Sequence, residues 1–126
     1  MALGKIKADT LEHSTAGSLD TSYVVNGSAK AWADYTTAAS FVLNASLNVA
    51  SLTDEGAGDC TINIASDMAS ANYSVTSNVL GGLSGGTKIF QNGAKTAGTY
   101  KQISTSSSGS AGDIGNSYVT IHGDLA

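Results

Sequence analysis

Three acidic residues, Asp54, Glu55 and Asp59, crowd one short segment of the sequence and are its most obvious candidate ligands for a metal ion. Calcium binds through several oxygen atoms, and acidic loops can supply them. The spacing in DEGAGD does not match the loop of an EF-hand, and glycine with aspartate is the usual composition of a tight turn. We therefore predict a solvated hairpin turn here rather than a metal site.

The two histidines, His13 and His122, are far apart in the sequence. Imidazole is a common metal ligand, and three copies of one histidine could meet on the axis of a trimer. For His122 the favoured interpretation is a strand residue on the face opposite Val119 and Ile121. No metal or other cofactor is therefore predicted.

The single cysteine, Cys60, excludes an intrachain disulfide and shares the apolar side of an alternating strand with Ile62 and Ile64. Free cysteine is among the most buried residue types. A nucleophilic cysteine would need a cationic neighbour, which the sequence does not show. Cys60 is thus predicted to be a small buried apolar residue.

Patterns typical of enzymes are missing from the sequence. There is no G-x-S-x-G motif, and the glycine-rich segment 81–86 lacks the lysine and the following helix of a phosphate-binding loop. Asp34, Asp54, Asp59 and Asp113 could pair in space as a glycosidase requires, but the loops are poor in aromatic platforms for sugars. The chain is predicted not to be an enzyme.

Composition narrows the class of partners. The 126 residues carry ten acidic and six basic side chains, for a net charge of −4, and every basic residue is a lysine. Without arginine or a basic patch, nucleic-acid binding is not expected. No apolar run approaches the roughly 18 residues of a membrane helix, and the opening MALGKIKADT lacks the apolar centre of a signal peptide. We expect no membrane insertion, and synthesis in a cytoplasm.

Alternation of apolar and polar residues predicts a chain built of short strands. Strands are expected at 30–35, 40–53, 59–65, 72–79, 89–90, 100–105 and 117–122. The pairs Asn26-Gly27 and Asn92-Gly93 are predicted turns, the first of them closing a hairpin. No segment shows sustained helical periodicity. About eight short strands at regular spacing predict an all-β, antiparallel β-sandwich.

Residues 1–20 differ in sequence pattern from residues 21–126. We interpret them as an N-terminal attachment arm ahead of the β-sandwich domain. Apolar residues make up 41% of the chain, but they include only two Phe and one Trp. Because an alanine-rich interior gains little from burial, a single copy is expected to have a thin core. The chain also has no proline to protect its strand edges. We therefore expect self-association, which would both enlarge the core and cover the edges.

Several stretches of the sequence resemble, in order, a module of tail-fibre and related virion proteins of tailed bacteriophages, especially marine ones. The matching pieces are Val25–Trp32, Leu47–Asp54, Gly58–Ile64, Met68 and Ala71–Val75. The opening KIKADTLEHSTAG resembles the segment that precedes this module. Cys60 departs from the pattern, which commonly has an aromatic residue there, and so does the alanine-rich DYTTAAS. The module carries no catalytic motif.

The resemblance implies a virion structural protein, usually a homotrimer, on the outside of a phage particle. We expect a tail-fibre, tail-tip or head-surface component whose arm docks to another virion protein. The residues assigned to that attachment are Lys5, Ile6, Lys7 and Leu11. The residues assigned to the contacts between subunits are Trp32, Tyr118 and His122.

The alternative function is a receptor-binding tip that holds a glycan of the bacterial surface. Two loops, 81–86 and 105–116, are the candidate contacts. The residues that represent them are Leu83, Ser84, Ser107 and Asp113.

Overall fold

A computed structural model of the chain describes residues 7–38, 40–80, 83, 86–91 and 93–126. Its elements, in chain order, are β1 (Thr10–His13), β2 (Gly17–Asp20), α1 (Thr21–Gly27), β3 (Ala29–Thr36), β4 (Val42–Leu47), β5 (Val49–Gly56), β6 (Asp59–Ile64), β7 (Ser74–Leu80), β8 (Thr87–Gln91), β9 (Thr99–Ser106) and β10 (Asn116–His122).

Two four-stranded sheets form the body of the molecule. Sheet I has the strand order β4-β3-β10-β7, and sheet II has the order β5-β6-β9-β8. Every strand pairing in both sheets is antiparallel. The predicted all-β sandwich is therefore confirmed, and β1 and β2 form a separate two-stranded hairpin ahead of it.

The core lies between the inner faces of the two sheets. Its buried members are Ala31, Ala33, Tyr35, Cys60, Ile62, Ile64, Met68, Tyr73, Tyr100, Val119 and Ile121. The strict alternation of burial along β6 places Cys60, Ile62 and Ile64 inward, as the sequence predicted. The buried residues of β3 are Ala31, Ala33 and Tyr35, and the two alanines agree with the expected scarcity of large apolar groups.

The strand predicted over 40–53 is in fact two strands belonging to different sheets. Asn48 lies at φ 54, a left-handed conformation that asparagine tolerates, and the chain turns there from β4 into β5. The Asn48 side chain donates to the Ser66 carbonyl oxygen at 3.0 Å and accepts from the Ser66 N–H at 2.7 Å, which holds this corner in place.

A register shift in β4 divides the apolar row that alternation had placed on one face. Asp34 pairs with Ala45, but the next residue of β3, Tyr35, pairs with Leu43. One residue of β4 is therefore bulged out. A bulge reverses the side of the sheet to which later residues point. Leu43 therefore packs inward against the core, whereas Leu47 pairs with Trp32 on the opposite face and is exposed.

The hairpin predicted at Asn26-Gly27 is wrong, because residues 21–27 form helix α1. The Asp20 side chain caps this helix by accepting the Ser22 N–H at 2.8 Å, and that bond lowers the pKa of Asp20. Gly27 ends the helix, and Ser28 N–H donates to the Val24 carbonyl oxygen at 3.2 Å. At seven residues, α1 is too short for its periodicity to stand out in the sequence.

Alternating strand directions give the sandwich two distinct ends. The β3–β4, β5–β6, β7–β8 and β9–β10 connections all lie at one end, which we call the loop end. The junction between α1 and β3 lies at the other end, which we call the base, together with the C-terminal residues 123–126. Within the described ranges, no helix has the length and apolarity needed to traverse a bilayer.

Candidate functional site

The acidic segment forms the predicted hairpin turn between β5 and β6. Lys101 Nζ, on neighbouring β9, lies 3.5 Å from Asp59 Oδ2 and 3.8 Å from Glu55 Oε2. Asp54 Oδ1 accepts the N–H of Gly56 at 2.9 Å, as turn aspartates commonly do. Across the described part of the chain, no three His, Cys, Asp or Glu side chains are grouped so that they could hold a metal ion.

Cys60 is fully buried beneath this turn and has no feature of a nucleophile. Burial raises the pKa of the Cys60 thiol to about 12, and the nearby carboxylates, Asp54 first, push it in the same direction. A thiol with such a pKa stays protonated at neutral pH, where only the thiolate is reactive.

The two histidines have structural roles at separate places. His13 Nδ1 accepts the backbone N–H groups of Thr15 and Ala16, at 3.3 and 3.1 Å, inside the β1–β2 turn. His122 Nδ1 lies 3.1 Å from the Gly27 carbonyl oxygen, and because a carbonyl only accepts, this ring nitrogen carries the proton. His122 therefore ties the end of α1 to the base of sheet I.

Described residues of the two loops predicted to bind a ligand meet at the loop end. Leu83 lies directly over Gly112, where an added Cβ would fall 2.9 Å from Leu83 Cδ2. Asp113 Oδ1 accepts the N–H of Gly58 at 2.7 Å, so this carboxylate fastens the 107–115 loop to the β5–β6 turn. Ser107 is exposed on the same loop, and Ser84 lies outside the described residues.

The one Trp and five Tyr of the chain could supply a glycan-binding surface, but the sandwich separates these six side chains. Tyr35, Tyr73 and Tyr100 are core residues, and burial raises the pKa of each. Tyr23 is exposed on α1. Trp32 and Tyr118 remain together on the outer face of sheet I.

The outer face of sheet I, which we call face I, carries an exposed apolar surface. The register aligns Leu47, Trp32, Thr120 and Thr76 in one row and Ala45, Asp34, Tyr118 and Asn78 in the next. Trp32 and Tyr118 are each 37% exposed, and Leu47 is 50% exposed. Val42 and Leu80 extend the apolar surface towards the loop end. Of the predicted subunit contacts, Trp32 and Tyr118 are thus diagonal neighbours, and His122 lies on the same strand as Tyr118 at the base.

Asp34 is the charged residue at the middle of face I. Its Oδ1 accepts from Asn44 Nδ2 at 3.1 Å and from Asn116 Nδ2 at 3.2 Å. These amides come from the two strands that flank β3, so the carboxylate sits within a polar bridge across three strands. Its charge is therefore partly compensated by these hydrogen-bond donors.

The segment from Lys7 to Ser28, which we call the N-terminal unit, contains no buried residue. Its hairpin and helix enclose an open groove of about 440 Å³, which is lined by Lys7, Ala8, Asp9, Leu11, Thr21, Val24 and Val25. Leu11, Val24 and Val25 are apolar and exposed there. Two of the predicted attachment residues, Lys7 and Leu11, therefore line one groove, while Lys5 and Ile6 lie outside the described residues.

The features above define an all-β sandwich protein with two exposed apolar surfaces, face I and the N-terminal unit. Comparison with known proteins names no family: no protein-family model, no curated protein and no solved structure matches this chain.

Two features of the structure were not predicted from the sequence: the buried residue Ile114 at the loop end and helix α1. Ile114 is 3% exposed, although it lies in a serine- and glycine-rich segment that predicts a flexible loop. Its carbonyl oxygen accepts the N–H groups of Thr37 and Ala38, at 3.2 and 3.0 Å, which closes the loop end. Helix α1 was also missed, and the Asp20 cap before it was the available signal.

Proposed function

We propose that this chain is a structural component of the exterior of a bacteriophage particle, as part of a tail fibre, a tail tip or a head-surface decoration. It assembles there as a homo-oligomer and docks to another virion protein through its N-terminal unit. The proposal joins the resemblance of the sequence to a phage virion module with the two exposed apolar surfaces. It assigns the chain no catalysis.

One observation carries this proposal above the others: exposed large apolar residues are concentrated on two surfaces. Leu11, Leu19, Tyr23, Val24 and Val25 belong to the N-terminal unit, and Val42, Leu47, Leu80, Trp32 and Tyr118 belong to face I. Contiguous exposed apolar residues typically mark sites of protein–protein contact. Two such surfaces, one at the base and one on the side, suit a subunit that binds both an anchor and its own copies.

The anchoring role is tested by removing residues 1–20 from the protein encoded in the phage. We expect particles that lack the truncated protein, detected with an antibody against the sandwich, while the protein itself still accumulates in the infected cell. A matched control replaces Ser107 with Ala at the loop end and should be incorporated normally. Normal incorporation of the truncated chain would contradict the anchoring role.

A second candidate function, binding of a bacterial surface glycan, is favoured by the placement of the two predicted loops. Leu83 and the 107–115 loop lie together at the loop end, which is opposite the N-terminal unit. A subunit that is anchored to the particle through its base would therefore present these loops outward.

Purified surface polysaccharide of the host separates the two functions. Saturable binding that is weakened by Leu83→Ala would support the receptor-binding function. A purely structural subunit should show no binding at polysaccharide concentrations that saturate a known glycan-binding protein. Release of reducing ends from the polysaccharide would instead indicate an enzyme and would contradict both functions.

A further inference from the structure

The two sheets differ in how their edge strands are protected. The edges of sheet I are β4 and β7, with the sequences VLNASL and SVTSNVL; neither contains a charged residue, and β4 has one register shift. The edges of sheet II are β5, which carries Asp54 and Glu55 and has two register shifts, and β8, which contains Lys88. Charges and bulges are the usual protection of a free strand edge against pairing with another chain. Sheet I lacks most of that protection.

The outer faces differ in the same direction. Sheet II presents a polar lattice, in which Asn63 Nδ2 donates to Ser51 Oγ at 3.1 Å and to Thr53 Oγ1 at 2.9 Å. Face I presents Trp32, Leu47 and Tyr118 instead. One sheet is therefore suited to water, and the other has both an apolar face and open edges.

Strand direction decides which edges can pair. β4 runs from the loop end to the base, and β7 runs from the base to the loop end. When two copies point the same way, β7 of one copy meets β4 of the next as an antiparallel pair. Pairing β7 with β7 would require a two-fold axis with the copies inverted, which would place their N-terminal units at opposite ends.

We infer that three copies pack sheet I about a threefold axis as a triangular prism, in which the β7 edge of each copy lies along the β4 edge of the next and face I lines the axis. This inference rests on the self-association in the proposed function and identifies its interface. All three N-terminal units then lie at one end of the prism, and all three loop ends lie at the other. A homo-oligomer anchored at one end needs this arrangement.

The width of sheet I selects three copies. Four strands about 4.8 Å apart, together with one further spacing to the next copy, give a side of roughly 19 Å, and an equilateral triangle with that side holds each sheet about 5.5 Å from the axis. Packed sheets lie about 10 Å apart, which puts each about 5 Å from the shared midplane. A square of four such sheets would hold each about 10 Å from the axis and leave an open channel that these side chains do not fill.

Face I has the composition that such an interior requires. Trp32, Leu47 and Tyr118 supply apolar bulk, and the surrounding Thr76 and Thr120 are small and able to hydrogen-bond. The Asp34 carboxylate enters the interior already bonded to two amides from its own sheet. These hydrogen bonds offset part of the cost of burying the carboxylate, while the repulsion between three like charges near the axis remains a destabilising contribution.

Cysteine cross-linking tests the proposed pairing directly. Ala45 on β4 and Asn78 on β7 lie in the same row of face I, so an unshifted ring places Ala45 of one copy beside Asn78 of the next. Ala45→Cys is combined in turn with Thr76→Cys, Asn78→Cys and Leu80→Cys, which allows for a shift of two residues either way. Buried Cys60 is retained, and the unmodified protein shows its background reactivity.

We expect one of the three double variants to become a covalent trimer on mild oxidation, while every single variant stays uncross-linked. Disulfide-linked dimers of a single β7 variant would overturn the inference, because they report a β7–β7 two-fold. A protein whose mass in solution is three times 12.6 kDa but which no pair cross-links would also overturn it, and would leave self-association standing. A monomeric protein would overturn both.

A second measurement avoids the cysteines. Asn78→Lys places a charge on the β7 edge of sheet I, and the matched control Thr53→Lys places one on the β5 edge of sheet II. Light scattering should show the mass falling threefold, to 12.6 kDa, for Asn78→Lys alone. Equal masses for the two variants would contradict the assignment of the interface to sheet I. Incorporation into phage particles is measured separately, so the inference can fail while the virion function holds.

Discussion

Replacing Gly58 with alanine should destabilise the protein far more than an ordinary glycine substitution in a turn. Gly58 has φ +67, and an added Cβ would overlap the Gly112 carbonyl oxygen and lie 2.7 Å from both the carbonyl oxygen and the Oγ of Ser104. A left-handed conformation costs a residue with a Cβ about 1–2 kcal/mol. Two of the three neighbouring atoms are backbone oxygens, so relief requires moving the 107–115 loop.

Movement of that loop breaks hydrogen bonds that hold the loop end together. Gly58 N–H donates to Asp113 Oδ1 at 2.7 Å, and Ser104 N–H donates to the Gly58 carbonyl oxygen at 2.9 Å. A hydrogen bond to a charged group contributes about 1.5–3 kcal/mol. Together with the backbone strain, the expected loss in the free energy of unfolding is about 2.5–5 kcal/mol.

Gly109→Ala is the matched control for this substitution. Gly109 also has a positive φ, +90, but nothing lies within 4 Å of its added Cβ. It should therefore lose only the strain of about 1–2 kcal/mol. For domains near this size each kcal/mol lowers Tm by roughly 2–8 °C, so Gly58→Ala should melt at least about 3 °C below Gly109→Ala. Circular dichroism at one fixed protein concentration measures both, and equal Tm values would refute the collision at Gly58.

Three further substitutions test the interior and face I. Tyr35→Phe removes the hydroxyl that accepts from Gln102 Nε2, and the unpaired buried amide should lower the free energy of unfolding by about 1–3 kcal/mol in urea titrations; a neutral result would contradict that bond. Cys60 holds its proton in the folded state up to a pKa of about 12, whereas the unfolded thiol releases it near 9.0, so stability should fall as the pH rises from 9.0 to about 12. Urea midpoints across that range should fall less steeply for Cys60→Ala, and an unchanged slope would contradict the raised pKa. Asp34→Asn removes three like charges from the proposed prism axis, so the trimer should dissociate at a lower protein concentration than the unmodified protein; earlier dissociation would argue against convergence of Asp34.

The sequence predicted best those strands whose two faces have different surroundings. β6 and β10 alternate between core and outside without interruption, so a period of two identified both their type and their buried residues. Across the segment 40–53 the same rule failed, because the bulge in β4 and the turn at Asn48 depend on contacts with β3 and with Ser66. Those contacts join residues that are distant in the sequence, and alternation carries no information about them.

The surfaces were predictable by residue type but not by arrangement. Large aromatic residues on strands commonly make core or subunit contacts, so residue type alone makes Trp32 and Tyr118 candidates for a subunit contact. Trp32 and Tyr118 are adjacent because β3 pairs with β10, and no local sequence pattern predicts that pairing. Asp113 shows the opposite case: exposed loop aspartates suggest ligand binding, yet this one accepts the N–H of Gly58 and stabilises the loop end.

The placement of Trp32 explains how a thin core and an exposed apolar face arise together. Along β3, Ala31 and Ala33 point inward. Trp32, the largest side chain in the protein, points outward on the same face as Lys30 and Asp34. A slip of one residue would bury Trp32, but it would also bury a lysine and an aspartate, at a far greater cost in desolvation. The register is therefore fixed by the charges, which leave Trp32 on face I, 37% exposed. In the proposed oligomer a second copy would cover it with apolar surface, because that copy carries an identical Trp32 in the same position.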